Sequence, residues 1–236
     1  MIMIISDVHG RFNVVNEQVS FAENSLKKSI ECILVLGDLG LFEVNLRRFF
    51  EKEKQTFCRP LYFIEGNHEE FSTFDKLLAL NKSNFTHLAR GSVQRISGYN
   101  FLCIGGAKYM DATNTPRASE ITEKDIENCL NHEKKHVDII ISHDCPIKIG
   151  VPNTPGLEFY GPPGFTGSER VLEHFSPQLW FFGHHHKWFE KTTTETRFFG
   201  LPETWKGFIL LDENYNVEIV KNVIENKKKS FWERFF

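Results

Sequence analysis

Short apolar runs alternate along the chain with longer amphipathic stretches, and nearly every apolar run ends in a polar turn. Residues 1–5 are uniformly apolar and too few for a helix, which predicts a strand buried on both faces. Phe12, Val15, Val19, Ala22 and Leu26 then recur at helical spacing and predict one apolar stripe. The unit repeats. Residues 32–36 predict a second strand, and 43–55, with Val44, Leu46, Phe49 and Phe50 among charges, a second helix. Residues 61–64 predict a third strand, followed by Phe71, Phe74, Leu77 and Leu78 at helical spacing. Runs at 93–96 and 99–104 flank Ser97-Gly98, a hairpin signal. Thr122 and Asp125 have the form of a capping box and predict a helix to about residue 135. Residues 137–141 and 179–182 predict two more buried strands, with a short helix over 169–175 between them. The last runs, 188–189, 197–201, 208–211 and 217–220, read as a β-meander.

Strands that alternate with helices imply a parallel sheet, and such sheets bind ligands beyond the carboxyl ends of their strands. The polar residues of this chain gather at those ends. Asp7-Val8-His9 follows the first strand, Gly37-Asp38 the second and Gly66-Asn67-His68-Glu69 the third. His143-Asp144 and Gly183-His184-His185-His186 close two later ones. Asp7 and His9 are two apart, so on an extended backbone they share a face. Residues 150–167 are rich in Gly and Pro and predict a long loop directly after the His143 cluster. That position predicts a lining for the substrate side of a site, with Phe159 and Tyr160 available to stack on a ring.

Composition narrows the class. The 236 residues include 23 Phe and suit one α/β domain, taken as 1–220 with a basic and aromatic tail at 221–236. A net charge of −3 gives no general attraction to nucleic acid or anionic membrane. Five scattered cysteines without a C-x-x-C pair argue against a disulfide framework and a Cys-based zinc site. No apolar run approaches a membrane span, and residues 1–5 are too short for a signal segment, so the cytoplasm is the expected compartment and no membrane the expected partner.

Asp, Asn and His donors suit borderline metals, and one metal needs about four protein ligands. Asp7, His9, Asp38, Asn67, His68, His143, His184 and His186 are enough for two. Two such ions bind phosphate oxygens and acidify a shared water, and an uncommitted His can protonate the leaving oxygen. His87, His132, His136 and His174 belong to no cluster and read as surface or core positions.

The five-part order Asp-x-His, Gly-Asp, Gly-Asn-His-Glu, His, Gly-His-x-His resembles the calcineurin-like metallophosphoesterase superfamily over positions 7–186. The resemblance implies a four-layer α/β/β/α sandwich with a dinuclear metal site at the strand carboxyl ends. It implies that Asp7, His9 and His186 hold one metal, that Asn67, His143 and His184 hold the other, and that Asp38 bridges them. His68 would be the catalytic histidine and His185 an exposed spacer at the variable position. Protein Ser/Thr phosphatases of the superfamily extend the second motif to Gly-Asp-x-x-Asp-Arg-Gly, where this chain has Leu41, Phe42 and Glu43. Purple acid phosphatases place a Tyr ligand where Leu41 stands. The segments at 143–146 and 180–187 look somewhat like lariat-debranching phosphodiesterases, which carry Cys in place of Asp7.

The resulting expectation is a metal-dependent phosphodiesterase with a metal-bridging hydroxide as nucleophile and His68 as general acid. It carries two divalent or trivalent ions (Mn, Fe, Zn, Co or Ni, with Mn favoured) and acts on a nucleotide, nucleic acid or other phosphoester. The alternatives are a phosphomonoesterase and a non-catalytic protein-binding scaffold on the same fold; a complete ligand set with its His68 argues against the scaffold. Arg11 and Lys108 are candidate phosphate contacts, with surface salt bridges as their ordinary role.

Overall fold

The structure, a computed structural model, describes residues 1–224. Four strands open the first sheet: β1 (Ile2–Ile5), β2 (Cys32–Leu36), β3 (Leu61–Ile64) and the two-residue β4 (Thr86–His87), all parallel. The helix α1 (Phe12–Asn24) joins β1 to β2. The next connection begins as α2 (Glu43–Leu46) and widens into a π-helical stretch at Arg47–Lys52. The wider turn lets adjacent Phe49 and Phe50 both reach Phe12 and Phe57, so one helix face receives two rings where an α-helix would present one. Helix α3 (Phe74–Asn81) follows a 3₁₀ turn at Phe71–Thr73.

The second sheet starts with the hairpin β5 (Val93–Ile96) and β6 (Tyr99–Ile104). After it come α4 (Glu123–Leu130), β7 (Ile139–Ser142), α5 (Ser168–Phe175) and β8 (Leu179–Phe182). Thr122 and Asp125 form the reciprocal capping box, but α4 ends at Leu130, short of the expected residue 135. The strand expected at 137–141 begins two residues later, at Ile139.

The closing strands are not a meander. β9 (Phe189–Thr192) pairs antiparallel with β10 (Arg197–Gly200), and β10 inserts parallel beside β8. The chain then crosses to the first sheet, where β11 (Phe208–Leu211) pairs antiparallel with both β1 and β12 (Val217–Val220). Strand orders are β12-β11-β1-β2-β3-β4 and β5-β6-β7-β8-β10-β9. A one-dimensional pattern records apolar runs but not which sheet edge is open, so this crossing was invisible in it.

Three cores follow from strands buried on both faces. Met3, Ile5, Ile33, Val35 and Phe63 pack against α1, the α2 region and α3 on one outer face. Ile2, Ile4, Leu34, Ile141 and Phe181 meet between the sheets. Leu102, Ile140, Trp180 and Phe182 pack beneath α4 and α5 on the other outer face. Helices, sheet, sheet, helices is the four-layer α/β/β/α order expected. The basic and aromatic tail set apart at 221–236 lies, from residue 225 onward, outside the described residues.

Candidate metal centre

The parallel strands of both sheets end at one edge of the sandwich, and the polar turns meet there. Backbone bonds tie turn to turn. His9 N donates to Asp38 O at 2.8 Å, Gly183 N to His143 O at 2.9 Å, and Gly106 N to Glu65 O at 2.8 Å. His143 Nδ1 lies 2.7 Å from Leu36 O, which crosses from the second sheet to the first and aims Nε2 into the cluster.

The predicted residues converge. His186 Nε2 is 3.1 Å from Asp7 Oδ1 and 3.4 Å from His9 Nε2. His143 Nε2 is 3.0 Å from Asn67 Oδ1 and 3.4 Å from Asp38 Oδ1, while Asp38 Oδ2 is 3.8 Å from His9 Nε2. The two oxygens of Asp38 therefore face the two histidine groups separately. The His184 ring centroid is 5.0 Å from that of His143. Asp7, His9 and His186 each offer a ligand atom within 4.8 Å of the others, as do Asp7, Asp38 and His143.

Backbone geometry sets these residues apart. Asp7, His9, Asp38, His184 and His186 all have positive φ, from 49° to 63°. Each such non-glycine residue costs on the order of 1–3 kcal/mol and persists where the surroundings require it. Space is equally constrained. A Cβ on Gly66 would meet Asp38 Oδ1, and one on Gly183 would meet Ser6 Oγ, so both motif glycines are places where two turns touch.

The fit to cations rests on the donor set and on one atom. Asp7 Oδ1 is buried and makes no hydrogen bond among the described residues, although it faces His9 and His186. Burial alone would push the Asp7 carboxyl up, but His186, His143 and the Ser6 hydroxyl outweigh it and hold it well below the usual carboxylate range. Burial pushes His184 down to about 4 and lowers His9 against the pull of Asp38 and Asp7. His186 rises instead, chiefly through its close approach to the Asp7 carboxylate. For Asp7, His9 and His184 these shifts favour an ionised carboxylate and neutral imidazoles, the states in which such groups bind metal, whereas the raised His186 would have to give up a proton to do so.

His68 is exposed at the rim. Its backbone N donates to Asp38 Oδ1 at 2.8 Å, and its ring lies 5.5 Å from that of His9. His185 is not an exposed spacer. Only 12% of its side chain is exposed, and Nε2 lies 2.9 Å from Oδ1 of the buried Asp144. Asp144 also accepts from Cys145 N and Lys108 N. Cys145, Asp144 and His185 form a third close trio, but that carboxylate is already engaged twice at Oδ1 and once at Oδ2.

Neither cation candidate makes the surface salt bridge that is its ordinary role, among the described residues. Lys108 Nζ donates to Tyr160 O at 2.8 Å and Pro162 O at 3.2 Å, fastening the loop that holds 150–167. Arg11 lies over the Trp205 ring, 3.7 Å from its centroid. The long loop does border the site: Asn153, Leu157, Tyr160 and Gly164 line a cavity shared with Asn67, His68 and His184.

Several contributors were given no role by the sequence, Glu69 among them although it closes the Gly66-Asn67-His68-Glu69 turn. Glu69 accepts from Leu39 N at 2.9 Å and Leu41 N at 2.5 Å, clamping the Asp38 turn; burial and the Asp38 charge push its carboxyl up to about 8. Glu65 takes Arg90 Nε and faces His87 Nε2, both at 2.8 Å, so His87 serves the strand end behind the site. Glu203 stands 3.7 Å from His186 Nδ1, and Trp205 lies beside His9. A buried charge among apolar neighbours is the one trace of such roles in sequence, and it does not name the partner.

No curated protein matches the sequence. Among solved structures, the chain resembles TT1561 of Thermus thermophilus at 13% identity and TM-score 0.59, covering 93% of this chain and 97% of that one. It also resembles a phosphopantetheinyl hydrolase from Mycobacterium tuberculosis (12%, TM-score 0.54, 93% and 95% covered). A third is a putative 5'-nucleotidase from Staphylococcus aureus (13%, TM-score 0.54, 96% of this chain and 54% of that). At these identities the likeness is one of fold. The sequence model for calcineurin-like phosphoesterases matches residues 1–188, a span that holds every predicted ligand, and the chain belongs to that family.

Proposed function

We propose that the protein is a dinuclear metal-dependent phosphodiesterase, with residues 1–220 acting as one unit. Asp7, His9 and His186 would hold one ion, Asn67, His143 and His184 the other, and Asp38 both. The observation that carries this reading is the orientation of Asp38, whose Oδ2 faces His9 and whose Oδ1 faces His143. Two bound ions supply Lewis acidity at the phosphoryl oxygens and an acidic water at neutral pH. The ligands admit Mn, Fe, Zn, Co or Ni, and availability selects among them, with Mn favoured.

The chain's own residues do the rest. His68, at the rim and outside the ligand set, is placed to give a proton to the leaving oxygen. The Asp38–His68 backbone bond fixes where its ring originates. Asn67 is held by two contacts, Nδ2 donating to Asn114 O at 2.7 Å and Oδ1 facing His143, so its oxygen points into the cluster. Diesters are favoured because, among the described residues, Lys108 is the one Lys or Arg lining the His68 cavity, and it is turned to two loop carbonyls rather than to a terminal phosphate. A phosphomonoesterase is the second reading.

The test is hydrolysis of paired mono- and diesters by metal-stripped protein, with each metal added back and content measured. Two ions per chain and restored diester turnover are expected. Saturation at one ion with the fold intact, or restoration of monoester turnover alone, contradicts the proposal.

A further inference from the structure

Two cavities open at the cluster, and their walls differ. The larger, about 410 Å³, adjoins His9 and presents Arg11, Arg48, Glu17 and Glu53 beside Trp205. The smaller, about 180 Å³, adjoins His68 and is walled by Met110, Leu157, Tyr160 and two prolines. Its polar edges there are uncharged: Asn114, Asn153 and Thr154. Only two wall residues outside the histidines carry formal charge, Lys108 and Asp144. They oppose each other, and both are committed. Lys108 Nζ donates to two loop carbonyls, and Asp144 takes Lys108 N, Cys145 N and His185. Behind the wall, the Tyr160 hydroxyl bonds the Asp111 carboxylate, which also accepts from Thr113 N and Asn114 N at 2.8 Å. An anion entering would thus meet the Asp144 carboxylate and, in Lys108, an ammonium already turned to two loop carbonyls, and would lose hydration that the apolar wall does not replace. A neutral ring would meet apolar surface and amide edges, the usual make-up of an organic-ligand site.

We infer that the His68-side cavity is the leaving-group site, and that it takes an uncharged, ring-bearing alcohol and rejects an anionic one. The inference rests on the hydrolase reading above. In the step it serves, a water oxygen forms the new P–O bond and the bond to the arm breaks with its electron pair. The arm departs as a neutral alcohol with a proton from His68. The phosphate, with its remaining arm, stays at the cluster on the His9 side.

Met110 permits a test that needs no catalysis. It is one of three methionines, and Met1 and Met3 lie in and beside the core of the first sheet, away from the site. In full-length, metal-free protein with ¹³C-labelled methionine methyls, 4-nitrobenzyl alcohol should shift the Met110 signal saturably and leave Met1 and Met3 unmoved. 4-Nitrobenzoate, the same ring with a charge, should bind at least about tenfold more weakly. Leu157→Trp, which fills the cavity, should abolish the Met110 response without moving Met1 and Met3. Equal binding of the benzoate, or no response to the alcohol, overturns the inference. On metal-loaded protein, methyl 4-nitrophenyl phosphate should exceed, by about tenfold in kcat/KM, an analogue of matched leaving-group acidity with a carboxylate on the phenol. Turnover of both at equal rates overturns the inference alone. No turnover of either, with Met110 still responding, overturns the hydrolase reading and the leaving-group role with it.

Discussion

In the proposed reaction His68 would carry the proton transfer with little support. Among the described residues its ring has no hydrogen-bond partner, and Leu41, fully buried, stands where protein phosphatases of the superfamily place a carboxylate. Such a histidine is held by its backbone and by the substrate, so its contribution belongs near the lower end of general acid catalysis, about 10²-fold. His68→Ala should lose about that much on esters with alkyl leaving groups and much less on nitrophenyl esters, whose leaving oxygen needs no proton. A uniform loss across a graded leaving-group series, at fixed metal content, would make His68 a positioning residue. Asp38 presents the opposite case. Asp38→Asn keeps the shape, removes the charge and replaces one of the two oxygens that face the histidine groups. Elemental analysis should find less than two ions per chain, and full content with an unchanged rate would contradict the bridging role.

At the scale of the element, the site is a set of strand ends, and each end has its own fastening. β3 ends at Glu65, 6% exposed, where burial would raise the carboxyl but the His87 bond and the Arg90 guanidinium keep it below its ordinary value. Arg90 Nη1 also donates to Glu120 O at 2.7 Å, so one side chain joins the end of β3 to the segment before α4. Removing one partner of a buried pair costs about 3–5 kcal/mol, because the remaining charge stays in low dielectric. Arg90→Met should lower unfolding free energy by about 3 kcal/mol in urea melts, near the small end because His87 remains. A change under about 1 kcal/mol would mean that His87 alone satisfies Glu65. None of this was legible in the sequence, where Arg90 is an isolated charge 25 residues from its partner. The strands themselves were legible, because runs buried on both faces carry no polar residue to blur them. β4 escaped notice because two residues make no periodicity, and the π-helical stretch because Phe49 and Phe50 fit a helical stripe equally well.

Across the whole molecule, the candidate ligand set is divided between the two sheets. Asp7, His9, Asp38 and Asn67 follow strands of the first, while His143, His184 and His186 follow strands of the second. The motifs were readable one by one because each closes an apolar run. Their division between sheets was not, because it depends on pairing between β6, β7 and β8 far along the chain. Residues beyond the family match also reach the centre. Thr204 Oγ1 donates to Ser6 O at 2.6 Å, and Trp205 stands beside His9, so the segment that returns the chain to the first sheet closes one wall. The Asp7 and Asp38 carboxylates lie close together in a buried setting beside His143. Cations drawn to that cluster would staple one sheet to the other. An ion present at 100 times its Kd stabilises the folded state by about 2.7 kcal/mol, and two independent ions by about twice that. For a chain of this length each kcal/mol corresponds to about 2–4 °C in Tm, so saturating metal should raise Tm by roughly 10 °C or more. The increment should fall by about half or more in His184→Ala and in His186→Ala, each of which removes a donor supplied by the second sheet. Scanning calorimetry with chelator and with graded metal measures both quantities. An increment preserved in both variants would mean that the stabilising ions sit elsewhere, and that the two sheets meet without them.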